Sequence, residues 1–263
     1  MHNAVSVFHR ILVPLLFFCS CFGPFDPYNP PPDRQGDGGT SEPTTNPGFP
    51  SGMVAWWTCN DSVNNSLADT LGKNNGQITG CTRDSGISGW ALDFNGSGDY
   101  VSIPSSSDSP FNFGEGDFTI SLWIKPRIDT RITDTTRFDI ISKGVAKEEG
   151  YTVSITRNGF SAFVGRYSTA SIDTSFPASA GVWRHLAVIR KRGTVELFVD
   201  NTMVQTYTGE SNVSTNLNLL LGRDASGSGR QDRFYSGLID EIKIFNTAWG
   251  AADVNGEYKR FHN

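Results

Sequence analysis

From Met53 onward, apolar and polar residues alternate in short runs broken by glycine, asparagine and serine. The segments MVAWWT, WALDFN, DYVSIP, DFTISLWIKP, FDIISK, YTVSIT, FSAFVGRY, WRHLAVIRK, TVELFVD, LNLLLG and GLIDEIKIF each have the length and β-branched or aromatic content of a strand. That many strands over about two hundred residues predicts an antiparallel two-sheet sandwich or a barrel. Only Thr247 to Phe261 reads as helix, with Asp253 early and Lys259 and Arg260 late, as the helix dipole favours. One hairpin is legible in detail: a strand from His185, a turn at Lys191 to Gly193, a second strand, then a tight turn at Asp200 and Asn201, residues that tolerate positive φ. The run Arg190 to Arg192 at its tip reads as a solvated turn.

One strand poses a chemical question. In GLIDEIKIFN, Gly237 to Asn246, strict alternation puts Asp240 in the same row as Leu238, Ile242 and Ile244. A carboxylate in an apolar row needs a charge partner, hydrogen bonds or a metal ion.

The first 52 residues have a different character. Residues 1–20 carry His9 and Arg10 before an apolar run, Ile11 to Phe18, too short to span a bilayer and of secretory-leader form. The sequence FFCSC that closes it resembles a bacterial lipobox. Cys21, after the small Ser20, fits lipidation better than Cys19, which follows Phe18. Residues 21–52 are rich in Pro, Gly, Ser and Thr, and read as a disordered tether reaching roughly 90 Å at full stretch. The expected plan is a membrane-anchored lipoprotein of the outer membrane or cell surface, with one folded domain over 53–263. Two further cysteines, Cys59 and Cys81, lie in a chain predicted to be exported, where a disulfide between them would close a loop of about twenty residues. The alternative is a pair of buried thiols.

Composition narrows the function classes. The 263-residue chain has a net charge of −5, a balance that argues against nucleic acid as a partner.

Several stretches, LDFNGSGDYVSIP, FTISLWIKP, GVWRHLAVIRKRGTVELFVDN and FYSGLIDEIKIFNTAWGAADV, resemble in order the motifs of the laminin G-like jelly roll of the concanavalin A-like lectin and glucanase superfamily. The resemblance implies an all-β fold, two antiparallel sheets face to face with adjacent terminal strands and a short C-terminal helix. Asn201 in place of a commoner glycine, and Trp249 and Gly250 in place of leucine and serine, depart from the pattern.

Enzymes of that superfamily that cleave β-glucans carry a strand-borne Glu-x-Asp-x-x-Glu set, which is absent here. Asp240 and Glu241 are adjacent on a strand and point apart. No Gly-x-Ser-x-Gly elbow is present, and His185 matches a core position beside Trp183. The expectation is a non-catalytic module. By resemblance, a structural calcium ion would involve Asp240, with Asn95 and Asp99 as companions and Asp61 as a weaker one, since calcium takes carboxylate and carbonyl oxygens. Without a metal, Asp240 would accept hydrogen bonds from backbone amides or an arginine. A more distant likeness to pentraxins groups Glu148, Glu149, Asp224 and Asp232, although Arg223, Arg230 and Arg233 share that region and would neutralise them. Tyr167, Arg223, Arg230, Gln231 and Tyr235 are the candidate contacts for a glycan. Trp56, Trp57, Trp90, Trp123 and Trp183 have the chemistry of sugar platforms but fall inside strand patterns and are read as core residues. The predicted function is recognition of carbohydrate or of a matrix or host protein; the alternative is a structural envelope protein that binds a protein partner.

Overall fold

A computed structural model describes residues 51–61, 65–127, 137–145, 149–166, 171–208, 212–225 and 234–262. Cys21 and the expected leader and tether lie outside them. In chain order the strands are β1 (Met53–Trp57), β2 (Ser66–Leu67), β3 (Gly76–Thr79), β4 (Thr82–Ser85), β5 (Trp90–Asn95), β6 (Tyr100–Ile103), β7 (Phe118–Pro126), β8 (Arg137–Val145), β9 (Glu149–Thr156), β10 (Gly159–Arg166), β11 (Ile172–Asp173), β12 (Arg184–Lys191), β13 (Thr194–Val199), β14 (Thr202–Thr208), β15 (Leu219–Leu221) and β16 (Ser236–Phe245), followed by helix α1 (Ala251–Phe261).

The strands form two sheets with antiparallel ladders. One runs β14-β13-β12-β7-β16-β5-β4, with β1 also on β16; the other runs β11-β10-β9-β8-β15-β6-β3-β2. Each sheet turns one row of apolar side chains inward. Leu122, Ile124, Leu186, Val188, Leu197, Ile239, Ile242 and Ile244 from the first sheet share a core with Val101, Ile103, Tyr151, Val153, Ala162, Leu219 and Leu221 from the second. The adjacent terminal strands expected from the resemblance are present, since β1 pairs with β16.

The central strand β16 departs from the alternation read in the sequence. Its pairing with β7 shifts between Asp240 and Lys243, and Glu241 takes a left-handed φ of 51°. This is a β-bulge, which adds one residue and reverses the facing of everything beyond it. Ile239, not Leu238, therefore joins Ile242 and Ile244 in the core. The bulge also divides the strand's other edge. Ser236 to Ile239 pair with β5, while Ile242 to Phe245 pair with β1.

The outer face of this sheet is covered in part by α1. The helix begins at Ala251, later than the pattern suggested, because the chain before it is used for docking: Trp249 is buried against Phe245 at 4.8 Å between ring centroids, and its backbone N–H donates to Thr119 Oγ1. Gly250 is the N-cap, and its N–H donates to the Asp253 carboxylate at 2.8 Å. Beneath the helix lies a buried ion cluster. Lys243 Nζ donates to Glu241 Oε2 at 2.7 Å and to Glu257 Oε1 at 2.5 Å, while the Trp56 indole N–H donates to Glu241 at 2.9 Å. His185, fully buried, bonds Ser121 through Nε2 at 2.8 Å.

The hairpin turns are as read: Arg192 and Gly193, then Asp200 and Asn201, all have positive φ. Arg190, however, is not solvated with its neighbours. It is fully buried, its guanidinium donating to the carbonyls of Gly114 and Gly116 and lying 5.0 Å from the Phe118 ring centre. The residue sits one strand position before the turn, on a face closed by the 114–116 loop. A second buried cation, Lys143, donates to Ser105 Oγ, Thr215 O and Leu217 O at 2.8–2.9 Å, tying two loops at the rim of the other sheet.

Removing one member of a buried ion cluster leaves the others charged and desolvated. Lys243→Met is expected to destabilise the protein by about 3–5 kcal/mol, read as a drop in Tm of roughly 10 °C. Adding Glu241→Gln and Glu257→Gln to the same chain should restore most of that loss, and a single variant with unchanged Tm would refute the role assigned to the cluster.

Candidate functional site

Asp240 sits at the bulge, where β16 changes partner from β5 to β1. Its side chain is fully buried and is consumed by backbone amides. Oδ2 accepts from the N–H of Ile87 at 2.9 Å and of Ser88 at 3.1 Å, and Oδ1 from the N–H of Glu241 at 2.8 Å. Ile87 and Ser88 form the turn that joins β4 to β5, closed by a bond from Gly86 N–H to Gly89 O. A Cβ at Gly86 would collide with Asp240 Oδ2, so glycine is required for the approach. The amide-accepting reading of Asp240 is the one the geometry gives.

The companions proposed for a calcium ion are elsewhere. Asn95 pairs with Ser236, four residues before Asp240 along β16, or roughly 13 Å at the usual strand rise. Asn95 and Asp99 do come together, but as a self-contained turn: Asn95 Oδ1 accepts from Ser97 N–H and Asp99 Oδ2 from Asn95 N–H. Asp61 Oδ2 accepts from Ala68 N–H at 2.7 Å, with Arg83 at 3.9 Å. Among the described residues, no group of three or more His, Cys, Asp or Glu side chains is arranged to hold a metal ion.

The glycan contacts chosen from sequence divide in the same way. Tyr235 is a core residue: it is 1% exposed, packs edge-on against Phe94 and donates its hydroxyl to Leu238 O. The reason is position, since it enters β16 facing between the sheets. Arg223 is half-buried, its guanidinium held between the rings of Tyr100 at 4.8 Å and Phe234 at 5.3 Å. Asp224 is buried and faces Arg137 at 3.6 Å, and Arg137 also reaches Asp139 at 3.0 Å. Glu149 begins β9. Tyr167, Arg230, Gln231, Glu148 and Asp232 lie outside the described residues.

The expected Cys59–Cys81 disulfide is not formed, and both are free thiols. Cys59 is buried in the core with a left-handed φ of 58°, and Cys81 packs against the same core from its own turn, with its Sγ 3.6 Å from Thr79 O. Burial pushes the Cys81 thiol up to about 12, which leaves it un-ionised and unreactive.

Two surface features stand apart from the contacts chosen from sequence. On the outer face of the first sheet, Asp84, Lys125, Pro126, Arg127, Gly181 and Leu238 line an open groove of about 500 Å³. Arg127 forks onto Asp93 with N–O distances of 2.5 and 2.6 Å. The second is Trp90, read as core from its strand pattern but 53% exposed. It is the first residue of β5, directly after the Ser-Gly turn, so the alternation carries it past the edge of the core. The glycines and serines of SGISGW were the available signal.

A family model, described as concanavalin A-like lectin/glucanases superfamily, matches residues 95–255. The chain belongs to this superfamily. Among curated proteins, no sequence match was found. Solved structures of similar fold include the binding domain of Paraclostridial Mosquitocidal Protein 1, at 17% identity and TM-score 0.65, over 81% of this chain and 53% of that one. Domain 4 of AbnA, an extracellular arabinanase of Geobacillus stearothermophilus solved with arabinotriose, matches at 23% identity and TM-score 0.58, over 78% of this chain and 97% of that one. The binding domain of botulinum neurotoxin DC, solved with rat synaptotagmin II, matches at 15% identity and TM-score 0.62, over 80% and 52%. The chain thus spans about half the length of the toxin binding domains and nearly all of the arabinanase domain. At these identities the likeness is one of fold.

Burial and the neighbouring Glu241 push the Asp240 carboxyl up to about 7, against the three amides that favour the anion. A carboxyl whose folded value is raised contributes stability that is present below its unfolded value, near 4, and lost as pH rises through 7. His185 works oppositely: burial lowers it to about 3, so its contribution is lost as pH falls from 6.5. The Tm of the native chain minus that of Asp240→Asn should therefore shrink steadily between about pH 4 and pH 7. A difference independent of pH would overturn this reading of Asp240.

Proposed function

We propose that this superfamily member is a non-catalytic recognition module, held at the cell envelope by a lipid on Cys21, that binds carbohydrate presented by a cell or matrix. The observation that carries the reading is the shared sandwich. Several solved structures of similar fold are binding domains of toxins, domain 4 of AbnA was solved with arabinotriose, and the binding domain of botulinum neurotoxin DC was also solved with SialylT at 15% identity and TM-score 0.61. The side chains support a non-catalytic role. Glycoside hydrolysis needs two carboxyl groups facing one bond, whereas Asp240 is held by amides, Glu241 and Glu257 by Lys243, and Asp139 by Arg137 and Ser154.

A second reading rests on the outer groove. Lys125 has no hydrogen-bond or ion-pair partner among the described residues and faces the same groove as the exposed Asp84. A surface offering both signs beside the apolar Leu238 and Pro126 suits a protein partner of the envelope.

The full chain, displayed against an array of glycans and matrix proteins in calcium and again in chelator, is expected to retain at least one class of oligosaccharide. Retention lost in chelator would show that binding depends on a calcium ion, which the superfamily resemblance implies as a structural one. A chain that retains no glycan and co-purifies with one envelope protein would refute carbohydrate recognition in favour of the second reading. Replacement of Cys21 by serine should release the protein from the membrane fraction.

A further inference from the structure

The rim of the first sheet, where β1 ends and β4 turns into β5, collects features that the core does not explain. Trp90 presents more than half of its surface to solvent, and its indole N–H has no partner among the described residues. A large aromatic left uncovered beside free polar groups is the usual composition of a recognition surface.

The residues around the ring are fixed. Ser85 stands directly opposite Trp90 in the β4–β5 ladder, so the two side chains share a face. Asn60 accepts the backbone N–H of Trp90 through Oδ1 at 2.8 Å, which sets the plane of its amide and leaves the two N–H donors of Nδ2 without a partner among the described residues. The approach needs Gly89, at φ 70°, because a Cβ there would collide with Asn60 Oδ1. The left-handed φ of Cys59 turns the end of β1 so that Asn60 arrives at this place. From below, Asp240 holds the turn through the amides of Ile87 and Ser88.

The charge of the patch is equally informative. The hairpin turn, Gly86 to Gly89, carries no ionisable side chain. Arg83, the charged residue on the same face of the hairpin, is directed to Cys59 O at 2.5 Å and towards Asp61 at 3.9 Å. What remains open is an aromatic face flanked by an amide, a hydroxyl and an indole N–H. Stacking on the ring would take the C–H face of a pyranose or furanose, while the amide and hydroxyl would take its hydroxyl groups. Among the described residues, the charged side chains on the ring's face of the hairpin are Arg83 and the Asp61 it approaches, and the exposed Asp84 lies on the opposite face, so a neutral ligand suits the ring better than a charged one.

We infer that Trp90, Asn60 and Ser85 form a contact site for a neutral oligosaccharide, with Trp90 as the stacking platform and the Asp240-held turn as its rigid support. The inference rests on the carbohydrate reading proposed above and names where the sugar is held.

The test uses the full chain with arabinotriose and cellotriose as neutral probes and sialyllactose as an anionic one, in parallel with Trp90→Ala and Trp90→Phe. A neutral trisaccharide is expected to protect the exposed tryptophan from iodide quenching and to bind Trp90→Ala roughly tenfold more weakly. Trp90→Phe should retain part of the affinity. Because the ring is more than half exposed, the Tm of Trp90→Ala should stay within about 2 °C of the native value, which separates lost contact from lost fold. Unchanged affinity in Trp90→Ala, with glycan binding intact in the native chain, would overturn this site alone. Binding of the anionic probe only would also overturn it. Failure of the native chain to bind any glycan on the array would remove the carbohydrate reading and this site with it.

Discussion

The bulge at Asp240 and Glu241 is the constraint on which the first sheet depends. A strand of ten residues must pair with β7 along one edge and, along the other, with β5 and then β1. Two strands cannot share one edge without a break between them, and at the break the ladder offers neither partner its full set of hydrogen bonds. The chain places two acids at that point. Asp240 takes up the amides of the β4–β5 turn, and Glu241 takes up Lys243 and the Trp56 indole, so each carboxylate binds one of the two strands that part there. Lys243 passes the connection on to Glu257 and thereby fixes α1 over the sheet. Burying this many charges is costly and gives little net stability compared with an apolar core. What it supplies is geometry: a unique register for β16, a fixed helix and a fixed turn.

This explains what was legible in the sequence and what was not. Strands whose apolar row is continuous, such as β7, β9 and β12, were readable because burial on one face imposes a period of two. The hairpin turns were readable because Asp200, Asn201 and Gly193 carry local conformational preferences. The short β2, β3 and β4 were missed, since two to four residues hold too little pattern to stand out against a polar loop. Asp240 was visible as an anomaly, yet two of its partners are amides some 150 residues away, and a backbone amide leaves no mark in a sequence.

The same limit governs the candidate contacts. Tyr235 was chosen for its chemistry and its loop-like neighbours, but burial decided its role: it sits at the mouth of β16, where only the core is within reach. Arg190 was assigned to solvent by its charged neighbours, but one step along the strand placed it under a loop whose carbonyls needed a donor. In both cases residue type was informative about chemistry and silent about which side of the sheet would hold it. Trp90 failed in the opposite direction. Its strand parity matches the buried Leu92 and Phe94, yet it is the first residue of β5, directly after the turn, and stands 53% exposed, so correct parity leads to solvent.

That last case bears on how such a fold acquires a binding surface. The interior of a sandwich must be apolar and filled, which leaves little freedom for change, whereas strand ends project beyond it at no cost to packing. A residue there needs only a rigid support to become a contact. Here the support is a turn tied by a buried carboxylate, two glycines at close approaches and an asparagine whose amide is oriented by a single backbone bond. The energetic cost of desolvating Asp240 is understandable on this basis. A loose turn would have to be ordered each time a ligand bound, while one already fixed through the amides of Ile87 and Ser88 presents its ring and its donors in place, so the ordering cost is met on folding and not subtracted from affinity.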